Sequence, residues 1–356
     1  MTPYWLMFLL PSLGAVLGLG QHRQGRRRDQ AFLVLLFIIF VMFIGLRDGT
    51  GGDFFNYQRN VEDIAYERFS TSIGHGDPAF TILAEFSNLL NFGIYGVNFA
   101  CGLLFMIGLL RFVRDLPDPW LAIAAAVPYM IIVIAMGYIR QGVSIGFILI
   151  AIRNMDHRQF GWMTSNLLAA LLFHIASICV VPIFMIALFR REPVVLIALT
   201  LVGMLAFFFV LRDRLTGLYA GYIASEYDSS GALVRLMMNA VPAAVFLAFR
   251  QRYPLNDTLK LFWTIVSVIS LAMVPLLALS SSSTWIDRIG LFFSPIQLVV
   301  FGYITSVFAK HIKEQRIAAF LAILFYAVVL FIWLNYAVNA GYWLPYRWLL
   351  SPTPFP

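Results

Sequence analysis

Apolar runs of roughly fifteen to twenty residues recur from one end of the chain to the other, close to the ~20 residues that one helical crossing of a bilayer requires. About twelve can be read, at about 3–20, 31–46, 95–113, 119–137, 138–153, 160–174, 175–189, 194–211, 234–249, 261–279, 289–308 and 317–336. Short polar turns separate them. The composition excludes a soluble globular chain: 61% of residues are hydrophobic and 12% charged, against about 25% charged in soluble domains. The expected fold is an all-α polytopic membrane protein, with residues 1–356 forming a single integral membrane domain. Residues 1–20 lack a basic leading region. Arg23, Arg26, Arg27 and Arg28 come after the apolar run, as in a first membrane span rather than a cleaved leader. Cys101 and Cys179 lie in apolar runs without metal-ligand spacing and read as packing residues.

Charge sorts the turns into two alternating sets. Sixteen of the 25 basic residues fall in turns around 23–28, 111–114, 153–158, 190–191, 250–260 and 310–316. The intervening turns hold the other nine, and most of the acids. Basic residues concentrate on the cytoplasmic side of membrane proteins, so the first set is expected inside and both termini outside, in the periplasm of a Gram-negative cell. The net charge of +7 is then a retention signal and not a nucleic-acid footprint. The main periplasmic loops are about 47–94 and 212–235. Within the first, residues 79–92 are too short to span and carry Glu85; they predict a short interfacial helix, with Asp77 as N-cap and Pro78 in the first turn.

The outer turns are chemically varied. The densest is Arg47-Asp48-Gly49-Thr50-Gly51-Gly52-Asp53, followed by Tyr57. Others carry His75 and Asp77, Arg140-Gln141, His174, Tyr227, Arg235, Asp287-Arg288 and Tyr346. Each has a plainer reading: arginines near helix ends snorkel to headgroups, Arg288 can pair with Asp287, and aromatic residues form interfacial belts. Snorkelling serves either face, however, and does not account for arginines gathered with aspartate, histidine and glutamine on one side. Ionisable groups at membrane depth mark substrate paths.

Several elements, taken in order, resemble the EpsG/Wzy-type family of bacterial polysaccharide polymerases. They are Leu46-Arg47-x3-Gly51-x-Asp53-x3-Tyr57, Asp77-Pro78-x-Phe80, Ile139-Arg140-Gln141, Phe173-His174-x2-Ser177, Asp287-Arg288 and Pro345-Tyr346. The resemblance spans nearly the whole chain. It implies transfer of a growing glycan from undecaprenyl pyrophosphate onto a new lipid-linked repeat unit, on the periplasmic face of the inner membrane. No nucleotide sugar, metal or other cofactor is expected. Membrane lipid, a chain-length regulator and a flippase are the partners such a role brings with it.

On that reading, Arg140, Arg288, Arg235 and Gln141 are expected to bind pyrophosphate, since arginine presents a planar, permanently charged fork. Asp53 and His174 are the candidates for the base that takes the proton of the attacking hydroxyl, with Arg47 beside them in the catalytic set. Tyr57, Asp48, His75, Asp77, Tyr227 and Tyr346 are expected to bind sugar. An O-antigen ligase would use the same donor but typically has one large external loop. A flippase or transporter would place charges near the midplane and show inverted repeats, which this sequence does not.

Overall fold

The computed structural model describes residues 1–18, 26–66, 77–211, 231–280, 282–308 and 311–349. Within them the chain is helical, apart from turns and an isolated antiparallel bridge between Arg47 and Trp348. It divides into two compact units, Met1–Ser177 with Phe301–Pro356, and Ile178–Val300.

The first unit contains α1 (Thr2–Val16), α2 (Arg26–Gly45), α3 (Phe54–Tyr66), α4 (Pro78–Leu89), α5 (Gly93–Val113) and α6 (Pro119–Ala126). A nine-residue π-helix (Val127–Ala135) follows, then α7 (Ile139–Asp156) and α8 (Phe160–Phe173). Helix α5 packs against both α2 and α7. Its approach to α7 is backbone to backbone: a Cβ on Gly108 would stand 2.2 Å from the Gly146 carbonyl oxygen. Small residues permit such crossings where lipid supplies no hydrophobic drive between helices. The π-helix is buried throughout. Pro128 near its start has no N–H for the ladder, and the Ile132 carbonyl accepts a bond from the Trp343 indole at 2.9 Å.

The second unit contains α9 (Val181–Phe189), α10 (Pro193–Leu211), α11 (Ala232–Phe249), α12 (Asp257–Leu279) and α13 (Ser283–Gly290). Helix α14 (Pro295–Phe308) begins there, and α15 (Ile312–Tyr336) belongs to the first unit. In α15, Ala319, Ala322, Tyr326, Leu330 and Leu334 are buried, while Phe320, Leu324, Val328 and Phe331 point outward. One helical face packs on protein, and the other presents the apolar surface that a bilayer covers.

Among the described residues, four helices are long and apolar enough to cross a membrane: Gly93–Val113, Ala232–Arg252, Asp257–Leu279 and Lys313–Tyr336. Ser283–Phe293 and Pro295–Phe308, bent by 41°, count as a fifth when the pair is taken as one span. Other expected spans appear as shorter apolar helices, including Thr2–Val16, Gln30–Gly45 and Phe160–Phe173. The chain is therefore a multi-pass membrane protein, helical throughout its described elements.

The stretch 47–94 is less of a loop than expected. Helix α3 was not anticipated because its polar residues dilute any apolar run. Its signal is periodic: Phe54, Tyr57, Val61 and Ile64 recur at helical spacing and are all buried. They join Phe80 and Ala84 of α4, Cys101 of α5, Ile139 and Val143 of α7 and Phe173 of α8 in one apolar cluster. Helix α4 matches the expected short helix, with Pro78 in its first turn. Asp77 occupies the N-cap position, but its side chain makes no capping hydrogen bond. The N-cap position is as expected, and the carboxylate is engaged elsewhere.

Candidate functional site

The Asp77 carboxylate is where three turns of the first unit meet. Arg140, in the first turn of α7, donates from Nη1 to Asp77 Oδ2 at 3.0 Å. The Nδ1 of His174 lies 3.3 Å from the same oxygen, and the backbone N–H of Ile175 donates to Oδ1 at 3.4 Å. These contacts cross 63, 97 and 98 positions of chain. The Asp77 side chain is 8% exposed, His174 18% and Arg140 34%, so the group is graded from a buried acid to an open cation.

Local structure explains how each arrives. His174 ends α8 in extended conformation (φ −161°, ψ 108°), and the break turns the Ile175 N–H away from the helix ladder. Ser144, one turn along from Arg140, donates to the Ala170 carbonyl at 3.0 Å, and Ala170 lies one turn before His174. That bond ties α7 to α8 directly behind the two side chains. The Arg140 guanidinium carbon sits 5.4 Å from the Tyr57 ring centroid and 5.5 Å from that of Phe80. The rings support the cation from below. Gln141, beside it, is 2% exposed. Burial alone would raise the pKa of Asp77, but the hydrogen bond and charge of His174, the charge of Arg140 and the Ile175 N–H together hold the carboxyl below its ordinary value.

Arg47 occupies a different setting. It is 1% exposed. Its Nε donates to the Thr50 carbonyl (3.0 Å), Nη1 to the Ile44 carbonyl and Nη2 to Asn98 Oδ1 (2.8 Å). A cation among the last carbonyls of α2 is electrostatically favoured. The same turn is closed by the C-terminal segment. Asp48 N–H donates to the Arg347 carbonyl, Gly51 N–H to the Tyr342 carbonyl and Leu349 N–H to the Leu46 carbonyl. Gly51 has φ +118°, and a Cβ there would stand 2.5 Å from the Met136 carbonyl oxygen. Tyr346 donates to the Phe43 carbonyl at 2.8 Å, with its ring stacked on Phe43 at 4.4 Å. Asp48 accepts from the Tyr95 hydroxyl at 2.9 Å. The hydrogen bonds of Arg47 and Tyr346 thus go to backbone carbonyls of the same turn and helix and to Asn98.

Arg47→Ala is expected to lower folded protein more than it lowers specific activity. Its removal leaves buried acceptors at Thr50, Ile44 and Asn98 without their donor, at about 1–3 kcal/mol for each that stays unpaired. Thermal unfolding of the detergent-solubilised variant, with activity normalised to folded protein, checks this.

Asp53 sits at the start of α3, its carbonyl accepting from Tyr57 N–H and its carboxylate facing Asn56 at 3.5 Å. A helix N-terminus is itself a reason for an aspartate. In the second unit Arg235 makes a two-pronged ion pair with Asp287, both bonds 2.8 Å, with side chains 13% and 3% exposed. Asp287 thus pairs with Arg235, from another helix. Arg288 is half-buried on the same short helix. His75 and Tyr227 lie outside the described residues.

The structure therefore brings together Asp77, Arg140, His174 and Tyr57 from the expected set. Phe80 and Ser144 had not been singled out as parts of this site; Ser144, at helical spacing from Arg140, was the available signal. The model of one protein family, described as the EpsG family, matches residues 30–348. No curated protein and no solved structure matches the chain.

Proposed function

The chain belongs to the EpsG family, and from that premise we propose that it is a polysaccharide polymerase acting at the outer face of the bacterial inner membrane. It transfers a growing glycan from undecaprenyl pyrophosphate onto the terminal hydroxyl of a new lipid-linked repeat unit. The proposed topology is about twelve spans with both termini periplasmic, following the alternation of basic turns. The observation that carries the reading is the convergence of Asp77, Arg140 and His174 at a partly open surface.

In the proposed step the acceptor hydroxyl oxygen attacks the anomeric carbon of the donor. The bond from that carbon to the pyrophosphate oxygen breaks, and the electron pair leaves with the pyrophosphate. Arg140 meets the charge that develops there. His174, contacted by Asp77 through Nδ1, turns Nε2 to the hydroxyl and takes its proton. Asp77 holds the ring's orientation and compensates the imidazolium, so its role shifts from sugar binder to positioning residue. Arg235, Arg288, Asp53 and Gln141 remain proposed contributors, and Arg47 becomes a positioning group for its turn.

The test is purified protein given a defined undecaprenyl-pyrophosphate-linked repeat unit without nucleotide sugar. The expected result is a ladder of polymer with release of undecaprenyl pyrophosphate. Transfer only to a lipid A core acceptor would establish a ligase instead, and neither product would remove the transferase reading.

A further inference from the structure

Helix α3 borders a second feature one turn beyond Tyr57. A cleft of about 280 Å³ opens between α3, the end of α4 and the start of α5. Its polar lining comes from Gln58, Glu62, Asn88 and Asn91, and Phe92 and Tyr95 supply aromatic surface. Among the described residues, no lysine or arginine lines it.

Three of these groups are held in place. Asn88 donates to the Val61 carbonyl at 2.7 Å, joining α4 to α3 across the cleft. Gln58 donates to Glu62 at 3.0 Å, and the Tyr95 hydroxyl to Asp48 at 2.9 Å. The rim is a helix C-cap: Asn91 N–H donates to the Asn88 carbonyl and Phe92 N–H to the Ser87 carbonyl, with Asn91 left-handed at φ 59°. Asparagine tolerates that conformation. The cap accounts for the backbone of Asn91; its exposed amide faces the cleft.

Amides offer donors and acceptors together, Glu62 adds acceptors, and the rings offer apolar faces. That combination suits a polyhydroxylated neutral ligand. Without a cation, and with Glu62 at its edge, the cleft disfavours phosphate and acidic sugars. Its volume is just below the ~300–1,000 Å³ usual for small-molecule sites, room for one or two pyranose rings. We propose that this cleft is a subsite for a neutral or N-acetylated sugar, placed one helical turn along α3 from the ring that supports Arg140. The proposal rests on the transferase reading for its purpose, since it would hold a sugar of the lipid-linked substrate beside the reacting bond. Binding itself is independent of that reading.

The experiment uses full-length protein in nanodiscs, with glucose, galactose, N-acetylglucosamine, their β-1,4-linked disaccharides and glucuronic acid as probes. Saturation-transfer NMR reads binding. Signal is expected from neutral or N-acetylated probes and not from glucuronic acid. It should weaken roughly five- to tenfold in the Gln58→Ala/Glu62→Ala double variant, about one net hydrogen bond, and persist in Arg140→Ala. Both substituted positions lie on the polar side of α3, away from its buried face, so the variant keeps its fold; its thermal unfolding is measured alongside. In the polymerisation assay the same variant should raise KM for the repeat unit with kcat little changed. No signal from any probe, equal signal in the double variant, or stronger binding of glucuronic acid would overturn the subsite. Sugar binding that depends on Gln58 and Glu62, in a protein that makes no polymer, would leave the subsite standing and sink the polymerase reading.

Discussion

Arg140→Ala should abolish polymer, a fall of about 10³-fold or more, while the protein stays folded in the membrane. The guanidinium is the open end of its cluster: 34% of the side chain is exposed, the two aromatic rings lie against it, and it is proposed to meet the leaving pyrophosphate. Its removal takes one ionic contact from Asp77 but leaves those from His174 and the Ile175 N–H, so the carboxylate is not left alone. Arg140→Lys should not restore activity. Lysine keeps the charge but cannot both reach Asp77 and lie as a plane on Tyr57 and Phe80. Gel analysis of surface polysaccharide, with immunoblotting of membranes, reads both quantities. A normal ladder of long chains from Arg140→Ala would remove this residue from the mechanism.

Asp77→Asn is the sharper test of the division of labour. Volume is conserved, so the apolar cluster beneath should remain intact. The new amide, however, presents N–H donors to His174 Nδ1 where a carboxylate stood. An imidazole that accepts at Nδ1 carries its proton on Nε2 and cannot act there as a base. Activity should fall about 10²–10⁴-fold, the usual worth of a positioned base, and the loss should lie in kcat. The pH dependence of stability adds a second readout, of the ionic contacts themselves, while kcat reads the orienting role. The Asp77 carboxyl is held below its ordinary value. Its ionic contacts therefore stabilise the fold fully above the unfolded carboxyl pKa of about 4, and this contribution is lost as pH falls through the lower folded value. Acid unfolding followed by intrinsic fluorescence should lose this component in Asp77→Asn. Unchanged kcat with an unchanged acid transition would show that Asp77 orients nothing.

Much of the architecture is legible in the residues because it is local. The runs that became α5, α11, α12 and α15 are apolar over a bilayer's thickness, and their periodicity survives in the buried face of α15. Pro78 announces the start of α4, and the unusual shortness of the runs on either side of His174 announces the break there. Helix α3 is hard to read from sequence because only four of its 13 residues are buried, and its apolar positions are spaced rather than contiguous. The π-helix escaped for another reason. Its sequence is that of any apolar helix, and one of its carbonyls is satisfied by Trp343, 211 positions away.

The site divides along the same line. That Arg140, His174 and Asp77 would stand at helix ends follows from the chain's own polarity pattern, since an apolar helix cannot carry them in its middle at low cost. Which charge meets which does not follow. Arg47 and Arg140 look alike in sequence, each an arginine at the end of an apolar run beside glycines. One is enclosed by Ile44, Thr50 and Asn98 and covered by the C-terminal segment; the other remains a third open. Burial is set by what packs on top, here a segment some 300 positions downstream. Local periodicity carries no information about so distant a partner, and in an ionic site the partner decides whether a charge is structural or available for chemistry.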